Sequence, residues 1–87
     1  DRVLKKGCII LGLHSVIDVI VRDLSAKGAQ LRVPPGMLLP ASLELALVNE
    51  ELLYPAELRW VRGDKIGIQF TAAPRAFNQN RNIAGGW

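Results

Sequence analysis

The sequence predicts an all-β protein of six strands, an antiparallel β-barrel or sandwich, on three observations. Short segments alternate apolar and polar residues, which is typical of strands that bury one face. Turn-forming residues separate these segments at short intervals, as in antiparallel barrels and sandwiches. The chain has 87 residues, of which 49% are hydrophobic, and a chain of this length forms one core rather than two.

The six predicted strands cover residues 7–12, 16–23, 28–33, 42–48, 53–61 and 65–70. In the second of them Asp18 and Arg22 interleave with apolar residues, and the third strand shows the same alternation. Successive side chains of a strand point to opposite faces, so the apolar set should face the core. The side chains predicted to form the core are Ile17, Val19, Val21, Ala29, Leu31, Val33, Leu43, Leu45, Leu47, Ala56, Leu58, Trp60, Ile66, Ile68 and Phe70.

Turn residues define the connections between the predicted strands. Residues 34–40 begin with Pro-Pro-Gly and end in proline, and we expect a long loop there because proline cannot donate a ladder hydrogen bond. Glu50-Glu51 and Arg62-Gly63-Asp64 have the composition of short hairpin turns.

We expect one barrel domain over residues 1–73, with residues 1–6 as a flexible basic arm ahead of the first strand. Residues 74–87 are expected to form a short helix over residues 75–83, followed by a frayed tail. The chain begins at Asp1 rather than at methionine. We therefore expect it to be a domain cut from a longer protein.

Charge and cysteine content restrict the classes of partner. The net charge of +3 suits an anionic ligand but falls short of the dense basic stripe of a protein that binds duplex nucleic acid. Cys8 is the only cysteine, so an internal disulfide and a cysteine-based zinc site are excluded. No apolar run approaches the ~18 residues needed to span a bilayer. The sequence therefore predicts a cytoplasmic domain without membrane insertion.

Catalytic chemistry has little support in this sequence. His14 is the only histidine, and its neighbour Ser15 does not by itself make a nucleophile and base pair. No phosphate-cradling glycine loop and no metal-ligand spacing occurs. We predict a protein that is not an enzyme and carries no cofactor or metal.

The segment Asp23-Leu24-Ser25-Ala26-Lys27-Gly28 joins two predicted strands and supports two interpretations. Asp23 and Ser25 can bond nearby backbone amides, and Gly28 can adopt positive φ, so the segment can be a tight, capped turn. The same polar groups can instead bind a ligand. The residue chemistry alone favours the capped turn.

The segment also resembles the DxSxxG signature of the PilZ domain, a small bacterial β-barrel that binds the second messenger cyclic di-GMP. Two other stretches are similar to that family, in the same order along the chain. Residues 2–7 resemble its basic entry into the first strand, and residues 58–70 resemble its closing hairpin, in which a strand with Arg, Val and Trp leads to Ile-Gly-x-x-Phe. The resemblance covers residues 2–70 and implies a six-stranded barrel of the split-barrel type.

The resemblance implies a set of residues that bind cyclic di-GMP. Arg2 would contact a phosphate or a guanine edge, and Asp23 would accept from the N1 and N2 hydrogens of a guanine. Ser25 would add a hydroxyl bond, and Gly28 would leave room for the ligand. Lys6 and Trp60 are supporting candidates, although core packing is the favoured use of Trp60.

The RxxxR motif of the family is incomplete in this chain. Arg2 aligns with the second arginine, so the first would precede Asp1. The alternative pair, Arg2 and Lys6, has the right spacing but lacks the planar fork of a second guanidinium.

Three functional classes follow from the sequence. The first is a cyclic di-GMP receptor whose N-terminal arm becomes ordered on binding and acts on an effector protein or a fused domain, with a homodimer as a further candidate. Motility, exopolysaccharide synthesis and attachment are the outputs typical of the family. The second is a degenerate PilZ domain that binds protein instead of nucleotide. The third is a barrel for single-stranded nucleic acid, which the few aromatic residues disfavour.

Overall fold

The computed structural model describes residues 2–11 and 15–76 and consists almost wholly of strands. A single-turn 3₁₀ helix, Val48–Glu50, joins the fourth strand to the fifth, and Glu51 ends it in the left-handed region. His14 and residues 77–87 lie outside the described residues. The strands are β1 (Arg2–Ile10), β2 (Val16–Leu24), β3 (Gly28–Arg32), β4 (Ser42–Leu47), β5 (Leu52–Arg62), β6 (Lys65–Phe70) and β7 (Arg75–Ala76).

The first six strands form a closed antiparallel barrel, as the sequence predicts. Their order around the sheet is β4-β1-β2-β3-β6-β5, and a further pairing between β4 and β5 closes it. Short turns connect β2 to β3 and β5 to β6, while residues 33–41 form the expected long loop without strand structure. The described residues contain no helix of the length and apolarity needed to cross a membrane.

The core lies inside the barrel and contains the predicted side chains with one exception, together with Ile9, Ala46 and Leu53, which were not predicted. Ile9, Val21, Leu31, Leu45 and Ile66 have no exposed surface at all. Other predicted positions are buried, or pack against the buried set as Leu58 and Phe70 do. The exception is Trp60, which is 40% exposed.

The first strand begins five residues earlier than predicted, so the expectation of a flexible arm over residues 1–6 is wrong for residues 2–6. Arg2 is the register partner of Asp23, and Lys6 is the partner of Ile20. β2 extends to Leu24, and its backbone groups would lose ladder partners if β1 started at Gly7. Pairing of the backbone therefore extends the strand through this basic segment.

The predicted C-terminal helix is wrong at its first two residues, and the rest of it lies outside the described residues. Arg75 and Ala76 form β7, which pairs with Leu53 and Leu52 at the start of β5. That edge of β5 is open because β6 pairs with β5 only from Ala56 onward. Two residues of strand therefore cover an edge that would otherwise be unpaired.

Gly28 serves the close approach of two strands and not a left-handed turn, which corrects the expectation of positive φ. Among the described glycines, positive φ occurs at Gly36 and Gly63. Gly28 pairs with Gln69 of β6, and a Cβ atom at Gly28 would overlap the carbonyl oxygen of Ile68. A larger residue would therefore push β3 away from β6.

We expect Gly28→Ala to lower the free energy of unfolding by about 1–3 kcal/mol, because the added methyl group meets backbone that cannot rotate away. The urea midpoint measures this loss. Gly7→Ala is a matched control, since its Cβ would lie 3.0 Å from the Ala46 carbonyl oxygen and needs a smaller adjustment. Equal stability of wild type and Gly28→Ala would contradict this account of the glycine.

Candidate functional site

One row of register partners runs across five strands of the barrel. Arg2 pairs with Asp23, Asp23 with Gln30, Gln30 with Gly67, and Gly67 with Trp60. We call these five positions the site row. Cross-strand partners lie on the same face of a sheet, so strands far apart in the sequence contribute to one surface.

Three irregularities of strand pairing adjoin the site row. One follows Arg2 in β1, a second places Arg22 as an extra residue in β2, and a third places Arg59 as an extra residue in β5. A β-bulge inserts one residue into a strand and redirects the side chains beyond it. Bulges are also enriched next to functional sites. Their concentration here makes this part of the barrel the candidate site.

The bulge at Arg22 explains the orientation of Asp23. Val21 is fully buried, and strict alternation would return Asp23 to the same inner face. The extra residue changes the alternation, so that Leu24 and its partner Ala29 pack against the core instead. Asp23 and Gln30, one step before this pair, therefore face outward.

The bulge at Arg59 corrects the prediction that Trp60 faces the core. Leu58 packs against the core, Arg59 is the extra residue, and Trp60 follows on the outer face. The indole lies across Gly67, where a Cβ atom would overlap three atoms of the pyrrole ring. The guanidinium carbon of Arg62 lies 5.7 Å from the ring centroid. Glycine at position 67 thus makes the space that the indole fills.

A surface depression of about 420 Å³ lies over the site row. It brings together four of the predicted site residues, Asp23, Ser25, Gly28 and Trp60. The backbone of Arg2 adjoins it through the pairing with Asp23. We call it the Asp23 depression, and its lining is Asp23, Leu24, Ser25, Lys27, Gly28, Ala29, Gln30, Arg59, Trp60, Gly67, Ile68 and Gln69.

The charges of the Asp23 depression are mixed. Asp23 contributes a carboxylate, while Lys27 and Arg59 contribute cations. Arg59 lies 3.8 Å from the Glu57 carboxylate, and both side chains are more than half exposed, so this ion pair holds the guanidinium only weakly. The surface therefore offers cations to the anionic groups of a ligand and a carboxylate to its hydrogen-bond donors.

Ser25 organises the turn between β2 and β3. Its hydroxyl oxygen accepts from the backbone N–H groups of Lys27 and Gly28 at 3.2 and 3.3 Å. The hydroxyl also lies 3.3 Å from the Gly28 carbonyl oxygen, to which it can donate, and the Ser25 backbone N–H donates to the same oxygen at 2.9 Å. These contacts are those of the capped turn that the residue types predict.

Lys6 is placed elsewhere on the barrel. It lines a separate groove of about 540 Å³, with Cys8, Asp18, Arg32 and Asn49 among its neighbours. We call this the Cys8 groove. Burial raises the pKa of the Cys8 thiol, and the nearby Asp18 carboxylate, 3.4 Å from the sulfur, raises it further. The thiol is therefore protonated at neutral pH and is a poor nucleophile.

Eight of the twelve residues that line the Asp23 depression were not among the predicted site residues, and they include Lys27, Gln30, Arg59 and Gly67. Gln30 has the outward parity of an ordinary surface residue, and nothing in its identity distinguishes it. Arg59 reaches the depression through a bulge that the alternation of β5 does not reveal. Gly67 did carry a signal, because a glycine inside a strand often marks a close approach.

The chain is a small closed β-barrel with a depression on its outer face. The model of the PilZ domain family matches residues 5–81, so this chain belongs to the PilZ domain family, a family known for cyclic di-GMP receptors. No curated protein and no solved structure matches the chain.

We expect Gly67→Ala to displace the indole of Trp60, because the new methyl group occupies the position of the pyrrole ring. Fluorescence in a Trp87→Phe background, where Trp60 is the remaining tryptophan, should shift to longer wavelength as the ring enters solvent. In a Trp60→Ala background, Gly67→Ala should leave the free energy of unfolding nearly unchanged. The double-mutant cycle of these two substitutions should therefore give a coupling free energy of about 1 kcal/mol or more. Additive effects on stability would contradict the contact.

Proposed function

We propose that this domain binds cyclic di-GMP in the Asp23 depression and acts as a receptor in bacterial second-messenger signalling. The supporting observation is the convergence of Asp23, Ser25, Gly28 and Trp60 on one surface, although they come from two separated segments of the chain. The volume of about 420 Å³ lies in the range of small-molecule sites. In this proposal the domain is a binding module without catalytic residues.

Cyclic di-GMP offers two phosphates and two guanine bases, and the proposed contacts follow that chemistry. Asp23 accepts from the N1 and N2 hydrogens of a guanine. Arg2 binds a phosphate or the O6 and N7 edge, where a guanidinium makes two parallel bonds. Trp60 offers a ring against which a base can stack. Lys27 and Arg59 supply positive charge for the phosphates.

Ser25 and Gly28 have roles in the fold that modify their proposed part in binding. The Ser25 hydroxyl caps its own turn through contacts of 3.2–3.3 Å, and bonds of this length can yield to a charged ligand oxygen. Position 28 has no room for a side chain, because a Cβ atom there would overlap the carbonyl oxygen of Ile68 on the neighbouring strand. We therefore propose that Gly28 contributes to binding by fixing the shape of the turn. Lys6 has at most a long-range electrostatic effect, since it lines the Cys8 groove.

We propose that the N-terminal segment, residues 2–6, transmits ligand binding to an effector. Residues 2–6 pair with β2, but their pairing is irregular between Arg2 and Lys5. Ligand held between Asp23 and Arg2 would stabilise this irregular segment and change the surface it presents to an effector protein or a fused domain. We propose a cytoplasmic signalling role of this kind, with motility, exopolysaccharide synthesis or attachment as the regulated process.

A degenerate PilZ domain that binds protein instead of nucleotide is the second candidate. The observation in its favour is that Ser25 already uses its hydroxyl in the turn.

Calorimetric titration separates the two candidates. Cyclic di-GMP is added to the 87-residue domain and to a version extended upstream by its native residues, with GTP as the specificity control. Micromolar or tighter binding in either protein supports the receptor, and a gain on extension locates the missing arginine upstream. Absence of binding in both supports the protein-interaction module.

Asp23→Ala should weaken cyclic di-GMP binding about ten- to a hundredfold, because charge-assisted hydrogen bonds contribute roughly 1.5–3 kcal/mol. The matched control is Asp18→Ala, which removes the same charge at the Cys8 groove and should leave the affinity unchanged. Calorimetry gives the affinities, and circular dichroism gives the folded fraction. If Asp23→Ala unfolds the domain while affinity per folded molecule stays the same, Asp23 caps the turn and does not bind the ligand.

A further inference from the structure

Gln30 occupies the centre of the site row. It is the register partner of Asp23 on one side and of Gly67 on the other. Its chain neighbour Leu31 is fully buried, so the Gln30 side chain points outward and lines the Asp23 depression. A half-buried amide therefore lies between the carboxylate and the Trp60 indole.

Each position of the site row carries a different chemical group. After the Asp23 carboxylate comes the Gln30 amide, then Gly67, which has no side chain, and then the Trp60 indole that lies over that glycine. A flat base can stack on the exposed face of this indole, which is 40% exposed. Its polar edge then faces Gln30 and Asp23.

The order of these groups matches the polar edge of guanine. On that edge the N2 amino group, the N1 hydrogen and the O6 oxygen follow one another, giving donors and then an acceptor. Directly opposed residues on neighbouring strands have Cβ atoms about 4.5–5.5 Å apart, so two such side chains can reach adjacent atoms of one base. A carboxylate that accepts from N2 and N1 leaves O6 for the next residue in the row.

We propose that Gln30 is a specificity-determining residue whose side-chain NH₂ group donates to O6 of the guanine that Asp23 holds. This inference rests on the proposed binding of cyclic di-GMP at the Asp23 depression. Adenine has an amino group at position 6 and an acceptor at N1. Adenine therefore does not match the donor of Gln30 and the acceptor of Asp23 at once, and the pair selects guanine.

Two substitutions distinguish a donating amide from a residue that only fills space. Gln30→Leu keeps the size and removes the donor, and it should weaken cyclic di-GMP binding about tenfold. Gln30→Glu keeps the shape but places an acceptor against O6, and it should weaken binding more than Gln30→Leu does. Asn49→Leu and Asn49→Asp make the same chemical changes on the exposed 3₁₀ helix beside the Cys8 groove and should bind as wild type.

The measurement is calorimetry with cyclic di-GMP and with cyclic di-AMP, together with the NMR signal of the Gln30 side-chain amide in the wild-type domain. The inference is supported if affinity for cyclic di-GMP falls from wild type to Gln30→Leu and falls further in Gln30→Glu. It also requires that Gln30→Leu has a reduced preference for cyclic di-GMP over cyclic di-AMP, and that the amide signal of the wild-type domain shifts on binding. The amide signal decides the question if a variant fails to fold.

Other outcomes overturn the inference in distinguishable ways. Tight binding by wild type and by both Gln30 variants removes Gln30 from the site and leaves the receptor proposal intact. Wild-type affinity in Gln30→Glu with loss in Gln30→Leu shows that the residue accepts instead of donating. No binding of cyclic di-GMP by the wild-type domain or its upstream-extended version overturns both the receptor proposal and this inference.

Discussion

Backbone pairing between β3 and β6 joins the N-terminal half of the barrel to the closing hairpin, and the site depends on it. In this ladder Gln30 of β3 pairs with Gly67 of β6. The pairing connects β2, which carries Asp23, to β5, which carries Trp60. The pairing is close because Gly28 has no side chain facing the Ile68 carbonyl. At the far end of β3, the Val33 N–H donates to the Asp64 carbonyl oxygen at 2.7 Å, which ties the strand to the hairpin turn.

The inner and outer faces of the barrel contribute differently to its stability. Burial of the aliphatic core, with Ile9, Leu31 and Leu45 fully enclosed, supplies the main favourable free energy of folding. The outer ion pairs, such as Arg32 with Asp64 at 2.9 Å, are largely exposed and add little stability. Bulges at Arg22 and Arg59 change which side chains face the core, so that Leu24 packs inward while Asp23 and Trp60 lie on the outer face.

The sequence predicts the barrel well because alternation and turn chemistry are local signals. The predicted sixth strand matches β6, the second to fifth differ from β2–β5 by at most one residue at either end, and the first shares only residues 7–10 with β1. The start of β1 was wrong because pairing with β2, a tertiary interaction, extends it through charged residues. Asp23, Ser25 and Gly28 were identifiable as a unit because they are near one another in the chain. The place of Trp60 was wrong and Gln30 was missed, because a bulge and a cross-strand register have no clear local signature.

We propose that the site row and the adjoining turn form the ligand-binding surface of this PilZ domain. The most direct test is to add cyclic di-GMP to the ¹⁵N-labelled domain and to map the changes of backbone amide shifts. We predict that the largest changes fall on residues 23–30, on Arg59 and Trp60, and on Gly67. Changes centred on Lys6 and Arg32 at the Cys8 groove would contradict the account, and so would a spectrum that does not change at saturating ligand.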